Sequence, residues 1–245
     1  MAKGVNTQFG SFLLPASVAR DLAKEQISSF MGGYSGASNK RSMQGWHAPS
    51  LDADSALSYD LQKLRNRSSD LIRNNPLAAG VINTKVTSIV GSGLKLKPAI
   101  KRKYLNITDE QADEWESRAE FEFNELAKSL DVSGKSSFSG LQDLAFRSVL
   151  EKGDTFALLV NKKRKNLPYT LAVQMIEAER VCNEKNKRNT DRLVDGVEKD
   201  TYGAPLRYHI ITKHPGSTID LKKATWTKVA ANDANGRAQV LHLFK

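Results

Sequence analysis

Lys152-Gly153-Asp154-Thr155-Phe156-Ala157-Leu158-Leu159-Val160-Asn161 is the stretch at which the chain changes character. Before it, apolar residues recur at three- and four-residue intervals, the period of a helix. After it they come in short runs rich in β-branched and aromatic side chains, bounded by turn residues. Gly153 marks the boundary, because glycine takes the left-handed backbone that closes a helix without a Cβ penalty. Helices first and strands later make α+β the expected class: N-terminal helices followed by a mainly antiparallel β-rich region.

Working back from Gly153, a helix spans about Phe138 to Lys152. Ahead of it, Thr108 and Gln111 form a capping-box pattern, and Ala112, Trp115, Ala119, Phe123, Leu126 and Leu130 continue one apolar face. The outer face of this helix is acidic, with Glu116 and Glu120 at its centre. Carboxylates beyond the first turn gain nothing from the helix dipole, so they are solvated or meet cations on a neighbour. Further back stands Arg73-Asn74-Asn75-Pro76. Pro76 lacks an amide hydrogen and disfavours helical geometry at Asn75, so one helix ends there and a second, capped by Asn74 or Asn75, begins. The first is expected from about Asp52–Ser55 to Arg73, burying Leu57, Leu61, Leu64 and Leu71 as a stripe. The second, Leu77 to about Val90, is small and apolar and is expected to be largely buried. Gly91-Ser92-Gly93 closes it, and Leu94-Lys95-Leu96-Lys97 alternates like a half-buried strand.

Working forward, strands are expected at Phe156–Asn161, Leu171–Ile176, Leu206–Thr212, Trp226–Val229 and Val240–Phe244, separated by Asn-Leu-Pro, Asp-Gly, Tyr-Gly-Ala-Pro and Asn-Gly-Arg turns. Residues 1–50 mix Gly, Ser, Asn and Lys and include the run Gly32 to Asn39, so they are expected to form a flexible arm. Phe9, Phe12, Leu13 and Leu14 in that arm suit docking on a neighbour. Three parts follow: an arm (1–50), a helical part (51–152) and a β-rich part (153–245).

With 245 residues, 40% of them hydrophobic, the chain can bury a substantial core, and disorder of the whole is excluded. Thirty-seven Lys and Arg against 27 Asp and Glu give a net charge of +10, which suits an anionic partner. The excess is uneven: 14 basic face 14 acidic residues over 51–150, but 18 face 11 over 151–245. A single cysteine, Cys182, rules out an internal disulfide. No apolar run approaches the length needed to span a bilayer, so no membrane partner is expected.

Signatures of catalysis are sparse. His47, His209, His214 and His242 are scattered and form no helical pair with metal-ligand spacing. Gly91-Ser92-Gly93 lacks the Gly-Lys-Ser/Thr of a phosphate loop, and no serine sits in a Gly-x-Ser-x-Gly elbow, so neither a cofactor nor an acyl-transfer site is expected. The best enzymatic alternative is a Mg²⁺-dependent nuclease built on Asp154, Glu177 and Glu179, with Arg180 where a lysine would be wanted. Two basic clusters, Lys101-Arg102-Lys103 and Lys162-Lys163-Arg164-Lys165, are candidates for phosphate or partner contacts, although cations at hairpin tips are most often simply solvated. They leave a nucleic-acid-binding assembly protein as a further alternative.

The order of segments resembles the lambda family of phage portal proteins. Gly45-Trp46, Asp60-Leu61, Leu64-Arg65, Arg73-Asn74-Asn75-Pro76, Thr84 and Val90 to Leu94 carry the first half of the likeness. Trp115-Glu116, Phe138, Leu141-Gln142, Gly153-Asp154, Gln174-Met175-Ile176-Glu177 and Val240 to Phe244 carry the second. The resemblance implies a structural subunit rather than an enzyme. It implies a dodecameric ring at one capsid vertex, through which double-stranded DNA passes in packaging and ejection. The implied partners are further copies of the chain, terminase, the major capsid protein or scaffold, and head-tail connector proteins, with the virion as location. Because family members continue past the point matching Phe244 into a channel-lining helix and a terminase dock, the resemblance implies that this is the N-terminal, wing-containing half. The acidic helix with Glu116 and Glu120 is then a candidate contact between subunits, with the basic C-terminal part as its complement.

Overall fold

The computed structural model describes residues 4–7, 10–13, isolated positions between 17 and 46, 49–165, 167–218 and 224–244. Two compact units divide at Leu51. In the first, β1 (Gly4–Thr7) pairs antiparallel with β2 (Gly10–Leu13), so part of the expected arm is a hairpin. The expectations for Gly32 to Asn39 and for Phe9 and Leu14 fall outside the described residues.

The second unit begins with helices. The expected first helix is two: α1 (Ala53–Leu57), capped by Asp52, and α2 (Leu61–Asn74). α3 (Pro76–Ile89) follows at once. Asn75, held extended at φ −117° and ψ 112° by the proline after it, accepts hydrogen bonds at its side-chain oxygen from the Leu77 amide at 2.9 Å and the Ala78 amide at 3.3 Å. The cap is therefore Asn75 and not Asn74. α4 (Arg102–Leu105) is a single turn, and α5 (Asp109–Ala127) opens with the full Thr108–Gln111 capping box. α6 (Phe138–Lys152) is capped by Ser137 and closed by Gly153 at φ 93°.

The burial of the first helices reverses the expectation. Along α2 the buried side chains are Arg65 and Ser69, while Leu64 and Leu71 are 49% and 53% exposed. In α3 only Val86 is buried, and Leu77, Val81 and Ile89 are exposed. The inward face is selected by an ionic attachment of Arg65, described below, and not by the leucines. Leu94–Lys97 is not a strand either. Leu94 donates its amide to the Gln142 side chain at 2.8 Å, an attachment to α6 that leaves the segment without a β partner.

The β-rich part forms two sheets. β3 (Asp154–Asn161) is flanked antiparallel by β4 (Leu171–Ile176) and β9 (Val240–Phe244). The second sheet runs β5 (Leu193–Val194), β6 (Val197–Lys199), β7 (Pro205–Ile211), β8 (Trp226–Ala230), again antiparallel. The β5–β6 hairpin was foreshadowed only by its Asp195-Gly196 turn, whose residues take φ 45° and 84°. Between the sheets lies the core of Phe156, Ile176, Val181, Tyr208, Ile210 and Val240, with Ala231 at the junction. The Ala231 amide bonds to the Leu206 carbonyl, and its own carbonyl accepts from Gln239 and Val240, so one residue serves both sheets. Among the described residues no helix is long and apolar enough to cross a membrane.

Removing the shared cap isolates the value of the α2–α3 corner. Asn75→Ala should cost about 1 kcal/mol in urea unfolding, since it orphans two amide donors. A loss within error of zero would show that the corner is held by packing alone.

Candidate functional site

The charged side chains at the junction of helices and sheet pair with one another across elements. Arg65 reaches from α2 into the interior, where its Nη2 donates to Asp154 Oδ1 at 2.5 Å and its Nε to the Lys152 carbonyl at 3.2 Å. The second Asp154 oxygen lies 3.4 Å from His242 Nε2, and that imidazole stacks on Phe156 at 4.2 Å. Asp154 thus joins α2, the end of α6, β3 and β9. Glu179, almost wholly buried, accepts from the Lys152 ammonium and stands 4.0 Å from His214. Arg180 donates to the Ile211 and Thr212 carbonyls. Of the carboxylates considered for a nuclease, Asp154 and Glu179 are each engaged by a different cation and Glu177 is exposed, and among the described residues no group of three or more His, Cys, Asp or Glu could hold a metal. Sequence reasoning singled out Asp154 and Glu179 but missed the roles of Arg65 and Lys152 as their partners. The only hint was that Arg65 and Ser69 share a face of α2 at four-residue spacing.

The basic candidates divide in the same way. Arg102 is clamped by Asp109 at 3.1 Å and Asp113 at 2.6 Å, tying α4 to the start of α5. Arg164 turns inward and donates to the carbonyls of Ser129, Asp131 and Leu171, and Lys162 reaches the Val132 carbonyl at 3.3 Å. Lys101, Lys103, Lys163 and Lys165 are exposed and have no ion pair among the described residues.

On α5 the acidic face is likewise in part structural. Glu116 accepts the Ile100 amide at 2.8 Å and is half-buried, while Glu122 accepts the Tyr169 hydroxyl. Glu114 and Glu120 are exposed, as are Trp115 at 56% and Phe121 at 63%. What the second unit offers to the outside is therefore a set of helical faces, the leucines of α2 and α3 and the aromatic, acidic face of α5.

Exposed apolar faces of this size mark places where a protein contacts a partner. The sequence model of the lambda family of phage portal proteins matches residues 39–245. The chain belongs to that family. It is 25% identical over 225 residues to portal protein B of Escherichia phage lambda, covering 90% of this chain and 41% of the phage lambda protein. To the portal protein of Escherichia phage N15 it is 25% identical over 239 residues, covering 95% and 44%. It spans less than half the length of either relative. Residues on which the resemblance was read have local structural reasons here: Asn75-Pro76 makes the helix corner, Gly153 ends α6, and Asp154 receives Arg65.

The Lys152–Glu179 pair sets a pH dependence. Burial pushes the Glu179 carboxyl up, but the hydrogen bond from Lys152, a backbone amide and the charges of Lys152 and His214 outweigh it and hold it below the ordinary glutamate value of 4.5. A lowered folded value means stability that is present above the unfolded value and lost as pH falls through the folded one. The stability difference between wild type and Glu179→Gln should therefore shrink as pH drops below about 4.5. Urea titrations across that range check it, and a difference that stays constant would refute it.

Proposed function

We propose that the protein is a structural subunit of the ring-shaped portal at one capsid vertex, a conduit for double-stranded DNA in packaging and ejection. Terminase, the major capsid protein or scaffold, and head-tail connector proteins dock on the assembled ring, which is a dodecamer built in the host cytoplasm and carried in the virion. Its wing-like part consists of the helices (51–152) and sheets (153–245), outside the channel and preceded by an arm (1–50). The observation that carries the reading is the coincidence of family membership over 39–245 with large apolar helical faces that the second unit leaves exposed. A ring uses two different faces of each subunit, closed by rotation, and the face of α5 bearing Glu116 and Glu120 is one of them. Its role is in holding shape and contacting copies, with no cofactor.

Negative-stain microscopy and sedimentation of the full-length protein, alone and with its capsid partner, test this reading. Closed rings are the expected particles. A monomer under every condition, capsid partner included, would overturn it.

Four exposed lysines without ion pairs favour a second reading, a nucleic-acid-binding assembly protein that contacts phosphates without reading bases. On that reading Lys101, Lys103, Lys163 and Lys165 carry the binding. A plot of log affinity for duplex DNA against log salt should then have a slope no steeper than about −4. Replacing all four by glutamine should abolish binding, and undiminished binding would remove this reading.

A further inference from the structure

The α2–α3 hairpin is amphipathic the wrong way round for a self-contained fold. Its interior is fixed by Arg65 and Ser69, and its apolar residues face out in two stripes, Leu64 with Leu71 on α2 and Leu77, Val81 and Ile89 on α3. Each stripe is interrupted by one exposed cation, Arg67 at three residues from Leu64 and Lys85 midway between Val81 and Ile89. Neither cation has an ion pair among the described residues. The outward face of α5 has the opposite make-up. Trp115 and Phe121 are more than half exposed there, flanked by Glu114 and Glu120, with Arg118 the one cation among them. Two exposed surfaces of one chain are thus matched in apolar character and opposed in charge.

We infer that the α2–α3 hairpin of one copy docks on the outer face of α5 of a second copy. The inference rests on the ring reading above and assigns its two faces. It takes the place of the basic C-terminal part as the complement of the acidic helix, since several cations of that part already have partners in their own chain, Lys199 with Asp54, Lys228 with Glu184, Arg180 and Arg164 with backbone carbonyls, whereas Arg67 and Lys85 stand among exposed apolar residues. Burying the leucines against Trp115 and Phe121 removes both apolar patches from water. The charges set register and exclude the like-on-like pairing of α2 with α2 or of α5 with α5. Because the two faces differ, each copy keeps one of them free after pairing, and the contact propagates until it closes.

Charge reversal tests the assignment through a mixing experiment on the full chain. Arg67→Glu/Lys85→Glu inverts one face, and Glu114→Lys/Glu120→Lys inverts the other. Glu116 is left alone because it holds the Ile100 amide. Each double variant by itself should sediment with association weakened by roughly tenfold or more at low salt. An equimolar mixture should recover assembly, with the two variants alternating, since every contact then again joins a positive face to a negative one. Recovery also excludes misfolding as the cause of the separate losses, because misfolded chains do not restore one another. If wild type assembles and both variants assemble equally well alone, the faces are wrong while the ring reading stands, and the stripes belong to another partner. If both fail alone and the mixture also fails despite unchanged thermal unfolding, the pairing of these two faces is refuted. If wild type never assembles, the ring reading falls and this inference with it.

Discussion

Everything in the second unit is arranged around the contact of Arg65 with Asp154. A guanidinium and a carboxylate, both largely withdrawn from solvent, must satisfy each other, and truncating one partner of such a pair costs about 3 to 5 kcal/mol because the other charge is left buried alone. Arg65 meets that demand with two bonds, to the Asp154 carboxylate and to the carbonyl that ends α6. Asp154 in turn opens β3, the central strand of its sheet, and lies beside His242 of β9. One ion pair therefore fixes the rotation of α2 about its axis, its height over α6 and its distance from the sheet. With the rotation fixed, the leucines of α2 have only one direction left to point, which is outward.

That explains where the sequence was legible and where it was not. Boundaries set by local backbone chemistry were read correctly: the Thr108–Gln111 box, the Asn75–Pro76 corner, the Gly153 stop and the Val240–Phe244 strand all depend on residues within a few positions of one another. The class, helices then antiparallel strands, followed from the change of period at Gly153. Burial was misread in α2 and α3, because periodicity reports that a helix has an apolar stripe without saying what the stripe meets. The break at Ser58–Asp60 was missed since no proline or glycine announces it. The Arg65–Asp154 and Lys152–Glu179 pairs join residues far apart in sequence, and no local rule predicts which cation will find which carboxylate.

The same logic separates structural charge from available charge. Seven basic residues looked equivalent as two clusters, but Arg102, Lys162 and Arg164 are tied to their own chain and only lysines are left to the outside. Guanidinium groups, flat and many-handed, fasten loops to carbonyls, whereas the exposed ammonium groups keep their hydration. On α5, likewise, Glu116 and Glu122 fasten neighbouring segments, and Glu114 and Glu120 face outward. A net charge of +10 thus overstates what a partner would meet at either cluster.

The position of β9 bears on how the fold comes into being. β3 pairs with β4 a short loop later, but its other edge is closed only by β9, which aligns Phe244 with Asp154 at the opposite end of the β-rich part. During synthesis the helices and the β3–β4 hairpin leave the ribosome well before β9 does, and contacts so distant in sequence form slowly because a long loop must be closed first. Until then Phe156 has no His242 to stack on, and one edge of β3 stands open. The nascent chain therefore passes through a stage in which it is stickier than the finished subunit, and β9 decides when that stage ends.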